Sequence, residues 1–199
     1  MSPLQVDVLF HHREFHRPTS TGRLVNRLLP GSRHHIFRSN QVLIREAIVA
    51  PTRELWILHP RGEPVPADAN PANLQVLLLD GSWRESARMA QTLAGWGRLI
   101  RLPEVGESRN ELRQQEHAGH YSTVESLIFL LAELGLKEAE AKLRRQFELH
   151  VYAGLRTRGA KAMADEFLAG SVIREAFPEL LEELHRRRPH RPGEELVDS

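Results

Sequence analysis

The run Leu74-Gln75-Val76-Leu77-Leu78-Leu79 is nearly continuous in apolar character over the length of one strand, and it stops abruptly at Asp80-Gly81-Ser82. Unbroken apolar runs of this length, lacking the in-and-out alternation of a half-wetted strand, belong to strands buried on both faces. A helical pattern follows at once, with Ala87, Met89, Ala90 and Leu93 available to face a core and Gly95 and Gly97 to close it. A strand buried on both sides needs helices on both sides, so this segment alone calls for an α/β layer structure.

The same unit recurs along the chain. Val6–Phe10 reads as a first strand, and "PTSTGRLVNRLLPG" supplies Ser or Thr caps, helical spacing through Leu24, Leu28 and Leu29, and a Pro-Gly stop. "HHIFR" and "ELWILHP" read as short strands, the Pro-rich stretch "RGEPVPADANPANL" as a loop, and "RLIRLP" as another strand. In "YSTVESLIFLLAELG", Ser122 or Thr123 can cap a helix that runs to Gly135, with Glu125 in its first turn. Leu143, Phe147, Val151 and Leu155 space a long helix from Lys137 to about Lys161. Alternating strands and helices predict a mainly parallel sheet flanked by helices in one domain, residues 1–185, with 186–199 as a loose basic and acidic tail.

Composition closes several routes. The 199 residues include no cysteine, which removes disulfides, thiolate metal sites and cysteine nucleophiles. No apolar run approaches the roughly 18 residues of a membrane-spanning helix, and "MSPLQVDVLF" lacks a basic start and a cleavage site, so a cytoplasmic protein is expected. A net charge of +1 gives bulk charge no vote on a nucleic-acid partner. The histidines His11, His12, His16, His34 and His35 lack an acid or thiol at ligand spacing, and no metal is expected.

In an open parallel sheet, ligands bind beyond the carboxyl ends of the strands. Asp80 stands at such an end, as a general base or as an acceptor for a ligand amine or hydroxyl; Gly81 admits a ligand to the backbone, and Ser82 caps the helix. Capping chemistry alone explains Asp, Gly and Ser here, and Trp83 reads equally well as a core aromatic. Arg17, Arg109 and Arg113 are either phosphate or carboxylate contacts or solvated loop residues. Arg144, Arg145, Arg156 and Arg158 read better as a salt-laced helix face, since Glu138, Glu140 and Glu148 alternate with them; the basic tail is the better RNA contact of the two.

Three separated motifs carry a resemblance. Along the chain, "HHREFHRPTSTGRL", then "DGSW" followed by "ARM", then "SRNELRQQEHAGHYSTVES" resemble, in the same order, the DTW-domain family's His/Glu loop with Thr-x-Thr-Gly, its Asp-x-Thr-Trp signature, and its Ser, Arg and Ser-Thr-x-Glu block. The sequence therefore resembles that family over residues 11 to 125, with Ser82 where threonine is usual, Asn110 where a tyrosine is often found, and no counterpart of the N-terminal cysteine cluster of many relatives. The resemblance implies a SPOUT-like knotted α/β fold and a tRNA-uridine aminocarboxypropyltransferase. Such an enzyme uses S-adenosylmethionine to alkylate N3 of a tRNA uridine and releases methylthioadenosine. On this reading Asp80 and Trp83 are the catalytic candidates, and Gly81, Ser82, Ser122, Thr123 and Glu125 line the donor site. Arg17, Thr21 and Arg113 face the RNA, with tRNA the only partner and no metal. A methyltransferase using the same donor, and a non-catalytic RNA-binding protein on the same scaffold, are the alternatives.

Overall fold

The computed structural model describes residues 3–17, 20–103, 108–112 and 121–185. Among these residues, five strands form one sheet: β1 (Gln5–His11), β2 (Arg33–Phe37), β3 (Glu54–Pro64), β4 (Leu74–Asp80) and β5 (Arg98–Arg101). Their spatial order is β2-β1-β4-β3-β5 and every pairing is parallel. The α/β class and the parallel sheet predicted from the apolar runs are both present.

Residues of alternate parity on the two central strands separate two cores. Val6, Val8 and Phe10 of β1 and Leu74, Val76 and Leu78 of β4 point into the larger one. They meet Leu24 and Val25 of α1 (Gly22–Leu28), then Leu127, Ile128 and Leu131 of α4 (Thr123–Glu133), and Leu143, Phe147, Val151 and Leu155 of α5 (Lys137–Thr157). Leu9 and Leu77 point the other way, where the short α2 (Arg45–Ile48) and α3 (Trp83–Thr92) contribute Ile48 and Met89, and Leu93 follows α3. Met89 and Leu93 are almost wholly buried, and side chains of this size stabilise by about 1.5–3 kcal/mol each on full burial.

The remaining helices, α6 (Lys161–Ala169), α7 (Ile173–Ala176) and α8 (Pro178–His185), bring Ala164, Phe167, Ile173 and Leu181 to the same larger core. The tail at 186–199 lies outside the described residues.

Two boundaries differ from the sequence reading. The expected loop from Arg61 begins later, because β3 shifts register between Leu58 and Glu63 and pairs again with Ile100 and Arg101. Gly62 permits this: a Cβ there would lie 2.4 Å from the backbone carbon of Leu99. The helix predicted to run to about Lys161 ends at Thr157, and Lys161 begins the next one. Gly159 takes φ +78, its N–H donates to Arg156 O, and the Ala160 N–H donates to Leu155 O. This left-handed glycine with its 6→1 bond is a Schellman stop, and Gly135 ends α4 in the same way.

Candidate active site

The strand order fixes where a ligand can enter. The chain leaves β1 toward β2 at one edge and leaves β4 toward β5 at the other, so the adjacent carboxyl ends of β1 and β4 form a topological switch point. Phe10 and Asp80 are register partners there. Asp80 points to the α1 and α4 side, whereas His11, one residue further on, points to the α3 side.

Asp80 is 3% exposed. Its Oδ2 accepts a hydrogen bond from Ser20 Oγ at 2.6 Å and its Oδ1 accepts from Thr123 Oγ1 at 3.1 Å. Thr21 joins the same knot of contacts, accepting from the Val124 N–H, one of the first free donors of α4, at 3.4 Å. Three segments remote in sequence, at residues 20–22, 80–83 and 122–125, thus meet at one carboxylate. Gly22 makes the approach possible, since a Cβ there would lie 2.5 Å from Asp80 Oδ2 and 2.8 Å from the Phe10 ring.

Both helices that leave this crevice begin with the same device. Ser82 and Glu85 form a capping box on α3, and Ser122 and Glu125 form one on α4. Each glutamate also anchors a neighbouring segment. Glu85 Oε2 accepts from the Ser82 N–H at 2.8 Å, while its Oε1 lies 2.9 Å from His11 Nδ1, within ion-pair range but off the line of a hydrogen bond. Glu125, 3% exposed, accepts from the Ser122 N–H at 2.9 Å and from Ser108 Oγ and the Arg109 N–H at 2.9 and 2.7 Å. Burial lowers the pKa of His11 and outweighs the opposing charge of Glu85. For Glu85 burial acts to raise the pKa, but the Ser82 bonds and the nearby His11 and Arg13 bring it below its ordinary value.

The remaining candidates sort by location. Trp83 is not a core aromatic: it occupies the first turn of α3 with 36% of its surface exposed, beside the Asp80 turn. Gly81 faces its own helix, where a Cβ would come 3.0 Å from Glu85 Cβ. Thr21 lies inside the fold, 4% exposed. Arg17 is held by the buried Glu14 at 2.6 Å, with 57% of its side chain in solvent. Arg109 is drawn away, with Nε 3.3 Å from Glu148 Oε1 and its guanidinium carbon 4.6 Å above the Phe167 ring. Arg113 and His120 lie outside the described residues.

The histidines disperse: His34 stacks on Phe15 and His35 Nε2 lies 3.9 Å from Asp7 Oδ2. Among the described residues no group of three His, Asp or Glu side chains is placed to hold a metal, and no helix is long and apolar enough to cross a membrane.

Sequence reasoning missed Ser20 and Glu85. Ser20 sits within the quoted Thr-Ser-Thr-Gly, and a motif cannot say which of its hydroxyls turns inward. Glu85 carried a readable signal, the Ser-x-x-Glu spacing from Ser82. In comparisons with known proteins, residues 1–153 match the model of the DTW domain. No curated protein and no solved structure matches the chain.

Proposed function

The chain belongs to the DTW domain family, and from that premise we propose that it modifies tRNA, transferring the 3-amino-3-carboxypropyl group of S-adenosylmethionine to N3 of a uridine. One observation carries the reading: Asp80, at the switch point of the sheet, gathers the three family motifs through the hydroxyls of Ser20 and Thr123.

When bound, S-adenosylmethionine supplies an electrophilic γ-carbon with methylthioadenosine as its leaving group. The crevice suits such a donor in its polar lining, the Gly81–Ser82 turn on one side and Ser122 and Thr123 at the start of α4 on the other. The α4 N-terminus adds a favourable field for a carboxylate. Glu125 braces that wall by holding Ser122 and the 108–109 backbone together. Trp83 offers an exposed aromatic face to a planar base.

Asp80 is the proposed general base. Its carboxylate is held by the hydroxyls of Ser20 and Thr123, and a carboxylate within hydrogen-bond reach of the uridine N3 can take that proton as attack begins. Ser20 and Thr123 fix its orientation, which matters because correct placement of reacting groups contributes several kcal/mol to lowering a barrier. Arg17 contacts the RNA at the rim, with Thr21 holding α1 against α4 behind it and Arg113 assigned to the same substrate. No metal enters the scheme. The family resemblance also implies a knotted path.

The test is incubation of the protein with S-adenosylmethionine labelled in the carboxypropyl portion and bulk tRNA. Label in RNA nucleosides together with methylthioadenosine is expected. Formation of S-adenosylhomocysteine with no carboxypropyl label would replace this reading with methyl transfer, and absence of both products would leave a scaffold without the chemistry.

A further inference from the structure

Because all five strands run parallel, the loop after β1, the loop after β2 and the α3 segment after β4 emerge at one end of the sheet. Their charges are sorted by depth. Arg13, Arg17, Arg38, Arg84 and Arg88 are all exposed. The carboxylates of the same segments face inward: Glu14 is 1% and Asp80 3% exposed, and the Glu85 side chain is 19% exposed, capping α3 beside His11.

Arg84 and Arg88 stand one turn apart on α3, on the side opposite buried Met89 and Ala90. Arg13 is near enough to the α3 start to influence both Glu85 and His11. Arg13, Arg38, Arg84 and Arg88 form no ion pair among the described residues.

Several arginines elsewhere are engaged. On α5, Arg144 pairs with Glu140 at 2.6 Å, and Arg156 lies 3.7 Å from Asp165; Arg158 donates to Leu112 O at 2.8 Å just beyond the helix. Arg98 on β5 pairs with Glu54 and Glu63. The overall charge of +1 conceals a cluster of solvent-exposed arginines at this end of the sheet. The same end of the sheet carries the buried Asp80 and, three residues on in the first turn of α3, Trp83 with 36% of its surface exposed.

We infer that this face, the arginine rim around Trp83, is the docking surface for a structured RNA that presents an unpaired base. The arginines take the phosphates flanking the base, and the indole of Trp83 stacks on the base as it enters the crevice. Guanidinium forks suit phosphate oxygens, and aromatic stacking of a splayed base is the common mode for single-stranded RNA, worth about 1–3 kcal/mol per base. The contact does not call on α5. The inference rests on the tRNA reading for the identity of the RNA, but the surface is argued from the rim itself.

The test is tRNA binding by fluorescence anisotropy across a salt series, using wild type, R84E/R88E, the milder R84Q/R88Q, Trp83→Ala, and Arg145→Glu on α5 as the comparison. Thermal melts check that each variant folds. The rim double variants are expected to weaken binding at least tenfold and to flatten the log–log salt slope by about 2, one for each lost phosphate contact. Trp83→Ala is expected to weaken tRNA binding about tenfold while leaving a fully paired duplex RNA unaffected. Arg145→Glu is expected to match wild type.

Unchanged affinity and slope in a folded R84Q/R88Q protein would overturn the inference even if carboxypropyl transfer is observed. So would an equal loss in Arg145→Glu, which would reduce the effect to net charge. Loss of binding in the rim variants, with no transfer by wild type, would sustain the surface and sink the proposed reaction.

Discussion

Ser20 donates to the Asp80 carboxylate at 2.6 Å across 60 positions of chain, and this bond fastens the segment before α1 to the end of β4. Hydrogen bonds to a charged partner contribute about 1.5–3 kcal/mol. Ser20→Ala is expected to cost stability in that range in urea titrations. Asp80→Asn keeps the shape and can still accept from one hydroxyl, so its melting temperature should stay within a few degrees of wild type. Turnover should fall by about 10²–10⁴, the usual contribution of a general base. Wild-type turnover in Asp80→Asn would remove the base assignment and leave a purely structural clamp.

Gly22→Ala offers a test of sign. An alanine in a helix normally stabilises by up to about 1 kcal/mol over glycine. Here the new methyl meets Asp80 Oδ2 at 2.5 Å and the Phe10 ring at 2.8 Å, and it must push α1 off β4. The expected result is destabilisation of about 1–3 kcal/mol, as for overpacking, with reduced activity. A stabilised Gly22→Ala protein would show that the contact is slack.

Glu125 accepts from the Ser122 N–H, Ser108 Oγ and the Arg109 N–H, so Glu125→Ala strands three donors at once. About 2–4 kcal/mol of lost stability is expected, with residues 108–112 exchanging amide hydrogens faster than the rest of the fold. Uniform exchange across the chain would argue against a local anchor.

Asp7 governs acid sensitivity at the other end of the sheet. Burial acts to raise its pKa, but His35, the Arg33 side chain and backbone, and Gln75 together lower it from 3.8 to about 2. A depressed carboxylate contributes stability that is fully present above the unfolded value and is lost as pH falls through the folded one. The contribution, roughly 2 kcal/mol, should therefore disappear between about pH 4 and pH 2. Denaturant midpoints measured against pH should fall across that window in wild type and flatten in Asp7→Asn. An identical slope in the variant would assign acid lability to other carboxylates.

The elements were written in local sequence. Continuous apolar runs at Val6–Phe10 and Leu74–Leu79 specified buried parallel strands, Ser-x-x-Glu marked the starts of α3 and α4, and Gly135 stopped a helix, because each signal acts within a turn or a strand of its own residue. Asp80 was legible as a strand-end acid for the same reason, and the three motifs were legible as separate words.

Their meeting point was decided only in three dimensions. No local rule tells Ser20 from Thr21 as the donor to Asp80, turns Trp83 outward from the core, or predicts that Gly62 must pass within 2.4 Å of the Leu99 backbone. Nor does composition reveal that Arg13, Arg38, Arg84 and Arg88 stay in solvent at one rim while Arg144 and Arg156 on α5 pair with acids. These features are set by contacts between residues tens of positions apart. Their energies depend on which strands lie side by side, and that order is chosen by the packing of both cores together.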